Sequence, residues 1–436
     1  MRNFLALPSL CLGCILAIAL HSSAQSAPAP MSSHPIAPTN WSFECVSYTS
    51  CGDDGSWIHT TSQPGTTRLW DSGTDWAILE TGANTYKWTN LDTWLDLVAA
   101  HQPSAVMYTF GHLPCALASV PCGKATPGSG STTSGIYWSP SPPKDLTASG
   151  SPSFNAFVTE ITQHCSPAGH CVKDYIKYWE MWNEPNLYHY WSGTIPQLYE
   201  MFKPAIAIIR KNIPGAIVST PPVSGGDTAW IASWMALENA NGKLSNYFGF
   251  HSYLWAYTPE TRVRMVERMV AAKNAAGWTT APWMNTESNF SVDTDTCSTQ
   301  YTIEDCHGQL VRWHVLQYAY QGGAGGAVNV NWYNWPSIST GGYDTYYYTM
   351  MQWLTGSTFT ASCATVGNVW SCPLTEANGA KALIVWNPAG TSEYTPASGF
   401  IDYKEFNDTY GGATVTISNG QSTKIGVIPI MFETAK

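Results

Sequence analysis

From about residue 40 to 355, short apolar runs alternate with longer stretches in which apolar residues recur every three or four positions. The short runs predict strands at Phe43–Tyr48, Thr67–Trp70, Ala105–Phe110, Tyr178–Asn183, Ile217–Thr220, Phe248–Tyr253, Trp283–Thr286 and Ala327–Trp332. The longer stretches predict helices, among them Leu91–Ala100, Ile195–Asn212 and Pro259–Ala276. In the first of these, Leu91, Trp94, Leu95 and Val98 fall on one helical face. Strand and helix in strict alternation point to parallel βαβ units. Eight such strands over this length fit an α/β fold, the (β/α)₈ barrel. The segment 112–152 is rich in Gly, Ser, Pro and Thr and reads as a long loop over the barrel mouth. Beyond 355 the pattern changes. Ala382–Trp386, Ala413–Ile417 and Lys424–Phe432 read as strands, with turns at Asn378-Gly379, Gly411-Gly412 and Asn419-Gly420. This predicts a small all-β, sandwich-like domain over 356–436, structural in role because it holds one Trp pair, Trp370 and Trp386, and no carboxylate dyad.

The first 24 residues have the pattern of a signal peptide: Arg2, an apolar run from Phe4 to Leu20, and the small residues Ser22-Ser23-Ala24. Residues 25–39 form a Ser/Ala/Pro-rich tail expected to be disordered, and the barrel is expected over 40–355. The destination is secreted or periplasmic, with no membrane association after signal removal. Removal of the signal takes Cys11 and Cys14 with it. The other ten of the 12 cysteines fall into close pairs: Cys45/Cys51, Cys115/Cys122, Cys165/Cys171, Cys297/Cys306 and Cys363/Cys372. In an exported chain such pairs predict neighbour-to-neighbour disulfides.

Only 11% of the residues are charged, against roughly 25% in ordinary soluble chains. With 20 basic and 30 acidic side chains, the net charge of -10 disfavours a nucleic-acid partner. No metal-ligand spacing survives signal removal, and Gly322–Gly326 precedes a strand rather than a helix, so no metal and no cofactor are expected. The 21 Trp and 23 Tyr point elsewhere. Trp182, Trp191, Trp255, Trp332, Tyr333 and Trp335 cluster at strand ends, where indoles can stack on the apolar faces of sugars. A carbohydrate substrate is the expected partner.

The candidate chemistry lies in two motifs at strand ends. Trp179-Glu180-Met181-Trp182-Asn183-Glu184-Pro185-Asn186 ends the fourth strand, and Trp283-Met284-Asn285-Thr286-Glu287-Ser288 ends the seventh. Barrels carry their chemistry at the C-terminal ends of strands, and strands four and seven face one another across the mouth. A carboxyl group among aromatics is expected to hold its proton more tightly than usual, as an acid catalyst must. Two carboxyl groups roughly 5–5.5 Å apart would serve a retaining glycosidase, whereas inversion needs roughly 6.5–9.5 Å. Arg68, on an early strand of an Arg-poor chain, needs a carboxylate partner, with Glu287 the first candidate and Asp71 the alternative. His112 ends strand three, and His251 and Tyr253 alternate on strand six, so both face one side.

With Arg68-Leu69-Trp70-Asp71-Ser72-Gly73, Tyr108-Thr109-Phe110-Gly111 and Trp182-Asn183-Glu184-Pro185-Asn186-Leu187, the chain resembles clan A glycoside hydrolases, and family 39 most. The resemblance covers about residues 40–355 and implies a retaining O-glycosyl hydrolase. It implies Glu184 as acid/base and Glu287 as nucleophile. It also implies Asn183 at the sugar 2-hydroxyl, Arg68 holding the nucleophile, and His251 and Tyr253 lining the site. Trp332, with Trp335 second, would floor the subsite. The strand-one segment Phe43-Glu44-Cys45 departs from the His-containing start of family 39 xylosidases. A transglycosidase, an inverting hydrolase and a non-catalytic carbohydrate-binding barrel are the competing readings.

Overall fold

The structure, a computed structural model, describes residues 43–44, 66–103, 105–120, 122, 130–131, 137–290, 297, 301–320, 322, 326–333, 342–407 and 411–435. The signal peptide, the tail, Cys45, Cys51 and Trp335 lie outside the described residues.

Eight parallel strands form the barrel: β1 (Phe43–Glu44), β2 (Thr66–Leu69), β3 (Ala105–Thr109), β4 (Ile176–Glu180), β5 (Ile217–Ser219), β6 (Phe248–His251), β7 (Trp283–Ser288) and β8 (Ala327–Trp332). Their order is β5-β4-β3-β2-β1-β8-β7-β6. Parallel bridges from Ser219 to Tyr247 and from Val223 to Phe250 join the two ends and close it. Around it run α1 (Thr89–His101), α2 (Pro152–Gln163), α3 (Ile195–Asn212), α4 (Thr228–Ala240), α5 (Pro259–Ala275), α6 (Ile303–Ala319) and α7 (Tyr343–Leu354). Sequence capping is visible at α3, where Thr194 and Gln197 exchange the reciprocal hydrogen bonds of a capping box. Strand residues that point outward meet apolar helix faces and form the main core, including Leu69, Tyr108, Trp179, Val218, Phe250 and Val330.

Several strands are shorter than the apolar runs suggest. β4 stops at Glu180, so Glu184 lies four residues beyond the sheet rather than one. The segment 112–152 is not a plain loop. It contains a small antiparallel sheet, Leu113–Pro114 and Gly130–Ser131 on either side of Tyr137–Ser139. The disulfide Cys115–Cys122 sits within it. Three more local disulfides are present among the described residues, Cys165–Cys171, Cys297–Cys306 and Cys363–Cys372. These four are the neighbour-to-neighbour bridges that the spacing predicts. The Cys45/Cys51 pair lies outside the described residues.

The C-terminal part is all-β, with β9 (Thr358–Phe359), β10 (Ala364–Val366), β11 (Val369–Thr375), β12 (Lys381–Trp386), β13 (Ser392–Tyr394), β14 (Phe400–Glu405), β15 (Ala413–Thr416), β16 (Thr423–Ile425) and β17 (Ile430–Thr434). The run Lys424–Phe432 is thus two strands, interrupted around Gly426 and Pro429, because proline lacks the N–H that a ladder needs. Alternation along β12 and β17 splits their side chains between two cores. Ile384, Trp386 and Met431 join the core shared with the barrel helices. Val385, Ile430 and Phe432 pack with Ile417 and Ile425, under the two-stranded β13–β16 sheet. The contact with the barrel is close: Trp386 donates Nε1–H to Glu260 at 2.8 Å. Gly308 of α6 lies against the carbonyl of Val427, where a Cβ would collide. Contrary to expectation, this part does contain a paired carboxylate. Lys404 bridges Glu376 at 3.1 Å and Glu433 at 2.5 Å. Burial, and the hydrogen bond that a protonated Glu433 donates to Glu376, push Glu433 up to about 7.

Candidate active site

The barrel interior changes character along its axis. Met107, Tyr247 and Met284, with Tyr178, Ile217 and Val328 against them, plug its lower part. One pleat higher, two residues further along β2, β3 and β4, stand Arg68, Thr109 and Glu180.

Arg68 is fully buried and organises this layer. Its Nε and Nη2 donate to Glu180 Oε2 at 2.9 and 2.6 Å. Its Nη1 donates to Glu287 Oε2 at 2.7 Å, and Nη2 also donates to Asn183 Oδ1 at 2.8 Å. The first-choice partner, Glu287, is therefore one of two, and Asp71 is neither. Glu180, equally buried, is the second carboxylate and also accepts from Thr109 Oγ1 at 2.9 Å. Sequence reasoning did not assign it a role. The one available signal was its position four residues before Glu184, with the inward parity of strand four.

Glu287 ends β7 and is nearly buried. Its Oε1 accepts a hydrogen bond from the hydroxyl of Tyr253. Both carboxylate oxygens are thus held, one by a cation and one by a phenol.

Glu184 follows a contorted turn. Trp182 and Glu184 both have left-handed backbones, with φ of 73° and 39°. Such conformations cost on the order of 1–3 kcal/mol each and gather at functional sites. Asp71, His112 and Trp255, just beyond β2, β3 and β6, share the feature, with φ of 53° to 55°. His251 Nδ1 lies 2.8 Å from Glu184 Oε1. Its Nε2 lies 3.1 Å from Thr286 Oγ1 and 3.4 Å from Arg68 Nη2. An ionised carboxylate only accepts, so Nδ1 carries a proton. His251 therefore donates to Glu184. Burial alone would raise the carboxyl's pKa, but the hydrogen bond and field of His251, helped by Ser224 and Arg68, bring it below the usual value. The upward shift expected from the aromatic surroundings is thus reversed.

One donor atom each from Glu184, His251 and Glu287 lie within 4.8 Å of one another. These three are the group whose geometry could gather a cation among the described residues, yet the Arg68 guanidinium already lies 2.7 Å from Glu287.

The aromatic candidates divide. Trp332 does not face the mouth. It is 1% exposed and stacks on His314 of α6, with centroids 5.4 Å apart. Pairing with Ser288, which accepts from Trp313 of α6, gives it outward parity, while Asn329 pairs with the inward Met284. Trp332 is core between sheet and helices, and the floor assignment is corrected accordingly. Trp182 and Trp191 are core as well. Trp255, 39% exposed, and the half-buried Tyr333 remain at the surface. His112 is buried, with Nδ1 3.0 Å from Asp75 Oδ1 and its ring stacked on Trp138 at 4.0 Å. Gly111 precedes it without a side chain because the ring of Trp70 fills that space.

No protein-family model matches the chain, and no curated protein matches it either. Solved structures do match, over most of their length. A glycoside hydrolase family 30 subfamily 8 xylanase from Clostridium acetobutylicum aligns with a TM-score of 0.58 and 12% identity over 91% of this chain and 96% of that one. A glucosidase from Croceicoccus marinus gives 0.56 and 12% over 85% and 89%. A monomeric β-xylosidase from Caulobacter crescentus gives 0.55 and 13% over 90% and 95%. Identities this low speak to architecture alone: the chain has the fold of these glycoside hydrolases.

Proposed function

We propose that the protein is a secreted glycoside hydrolase that cleaves β-linked sugars with retention of configuration. The observation that carries this is the pair of carboxylates: oxygens of Glu184 and Glu287 within 4.8 Å, Glu184 just beyond strand four and Glu287 at the end of strand seven. That approach suits a retaining pair at roughly 5–5.5 Å better than the roughly 6.5–9.5 Å that leaves an inverting enzyme room for its water. The local disulfides fit an oxidising destination. A further bridge, between Cys45 and Cys51, belongs to the same reading, and non-reducing peptide mapping would test it. Similarity to family 39 in particular rests on the motifs around Arg68 and Glu184.

Glu287, ionised beside Arg68, attacks the anomeric carbon and forms a glycosyl-enzyme as the glycosidic oxygen leaves. Glu184 delivers a proton to that oxygen, then takes one from the incoming water. With its pKa lowered by these partners, Glu184 is ionised at neutral pH before substrate binds and takes up its proton as the pH falls, so turnover favours acidic media. Asn183, its Oδ1 taken by Arg68, has its amide N–H₂ left to donate to the 2-hydroxyl.

The roles separate by azide rescue. Glu287→Ala should lose glycosylation and regain turnover only with azide, giving the inverted glycosyl azide. Glu184→Ala should still react with good aryl leaving groups, stall, and give the retained azide. Near-wild-type turnover in both variants would refute the assignment.

A further inference from the structure

We propose that Asp71, backed by the Asp75–His112 pair, is the specificity-determining group of the donor subsite, binding hydroxyls of a neutral sugar and excluding a uronic acid. This rests on the glycosidase reading above and names its substrate class.

β2 delivers Arg68 to Glu287 and, three residues on, turns Asp71 into the mouth through a left-handed backbone. The Asp71 side chain is open to solvent. Its Oδ2 accepts from Tyr333 Oη at 3.3 Å. The Tyr333 ring packs edge-on against Tyr253, with centroids 6.2 Å apart, and Tyr253 holds Glu287. Asp71, Tyr333, Tyr253 and Glu287 therefore bound one space. Asp71 feels the charges of Asp75 and Glu287, so it lies within Coulombic reach of the nucleophile.

A second observation points to a ligand. His112 is 5% exposed, and its Nε2 is buried with no hydrogen-bond partner. The Asp75 carboxylate accepts from Nδ1, which leaves Nε2 a lone-pair acceptor. Trp70 and Trp138 fix the ring, at 4.6 and 4.0 Å. A buried acceptor without a donor is costly and calls for an explanation.

This side of the mouth thus offers acceptors, Asp71 Oδ and His112 Nε2. The strong donor nearby, Arg68, is already engaged by Glu180, Glu287 and Asn183. Acceptors in search of donors match the O–H groups of a neutral pyranose. A uronate would bring more acceptors and a negative charge against Asp71, Asp75 and Glu287.

The test uses the full-length mature protein and 4-nitrophenyl β-glycosides of glucose, xylose and glucuronic acid, the corresponding bioses, and 3- and 4-deoxyglucosides. Asp71→Asn and Asp71→Gly both suit a positive φ. Wild type should prefer a neutral glycoside over the glucuronide by about 100-fold or more. Asp71→Gly should lower kcat/KM on the neutral substrate by roughly 100-fold, the scale of a hydrogen bond to a charged group. That loss should shrink to within about threefold on the deoxy substrate lacking the contacted hydroxyl. Equal losses on parent and on every deoxy substrate, or a wild-type preference for glucuronide, would overturn the proposal while leaving the hydrolase reading intact. A wild type inert on all these substrates and indistinguishable from Glu287→Ala would sink the hydrolase reading and this one with it.

Discussion

The two halves of the barrel interior are built from the same strands and differ by one pleat. Below, Met107 and Met284 pack with Tyr247 as an apolar plug. Above, Arg68 bridges Glu180 and Glu287, and His251 reaches Glu184. The lower layer is held by excluded water and dispersion and tolerates changes of similar volume. The upper layer is a charge network in which each member is needed to offset the burial of the next. Sheet parity carries both, so the fold can hold a polar site on an apolar base without a separate scaffold.

Arg68→Ala should break this contrast most severely. It leaves Glu180 and Glu287 buried without their cation, and removing one partner of a buried pair costs about 3–5 kcal/mol. Chemical denaturation would measure it. The double variant Arg68→Ala/Glu180→Gln should recover part of that stability but none of the activity. A double variant no more stable than Arg68→Ala alone would show that Glu180 is not the charge Arg68 offsets.

Met284→Ala probes the plug. Deleting a buried methionine costs about 2–5 kcal/mol. Here kcat/KM and its pH profile should hardly change, because the carboxylates above keep their partners. A shifted pH profile would mean that the layers are not separable.

His251→Asn tests the upper layer through its proton. His251 lowers the Glu184 pKa, so its removal should raise it. The acid form then persists to higher pH, and the alkaline limb of kcat/KM should move upward. The stability cost should be about 1–3 kcal/mol, from an underpaired buried carboxylate. A limb that stays in place would separate His251 from acid catalysis.

Asp71→Asn should have the smallest effect on stability, and the opposite sign. The protein walls around it, which limit its hydration although the side chain still reaches solvent, and then the charge of Asp75, push its pKa up from 3.8 to about 6. The native state therefore penalises the ionised form. The penalty is absent below pH 3.8 and complete above about pH 6. The variant should gain on the order of 1 kcal/mol at pH 8, reduced from a buried group's value by solvent screening, and nothing near pH 3.5. Thermal melts at the two pH values would detect it. Increased stability with reduced activity is the expected signature of a site residue.

The amino-acid sequence by itself determined the architecture. Local periodicity placed eight strands and bounded α3 at Ile195–Asn212, because capping residues and a 3.6-residue pattern act over one or two turns. The two glutamates were legible because their motifs end strands whose order in a barrel is constrained. What only the tertiary structure decided is pairing across the mouth. Arg68 and Glu180 are 112 positions apart, and His251 and Glu184 are 67. Beyond the Arg68–Glu287 pair, no local pattern encodes which charges meet over such distances. The reversal of the Glu184 shift follows, since its surroundings look apolar along the chain and are dominated by one histidine in space. Trp332 teaches the same point by parity. The register between β7 and β8 slips between Trp283 and Met284 and again between Asn285 and Ser288, and in a structure of period two a one-residue slip exchanges inside for outside.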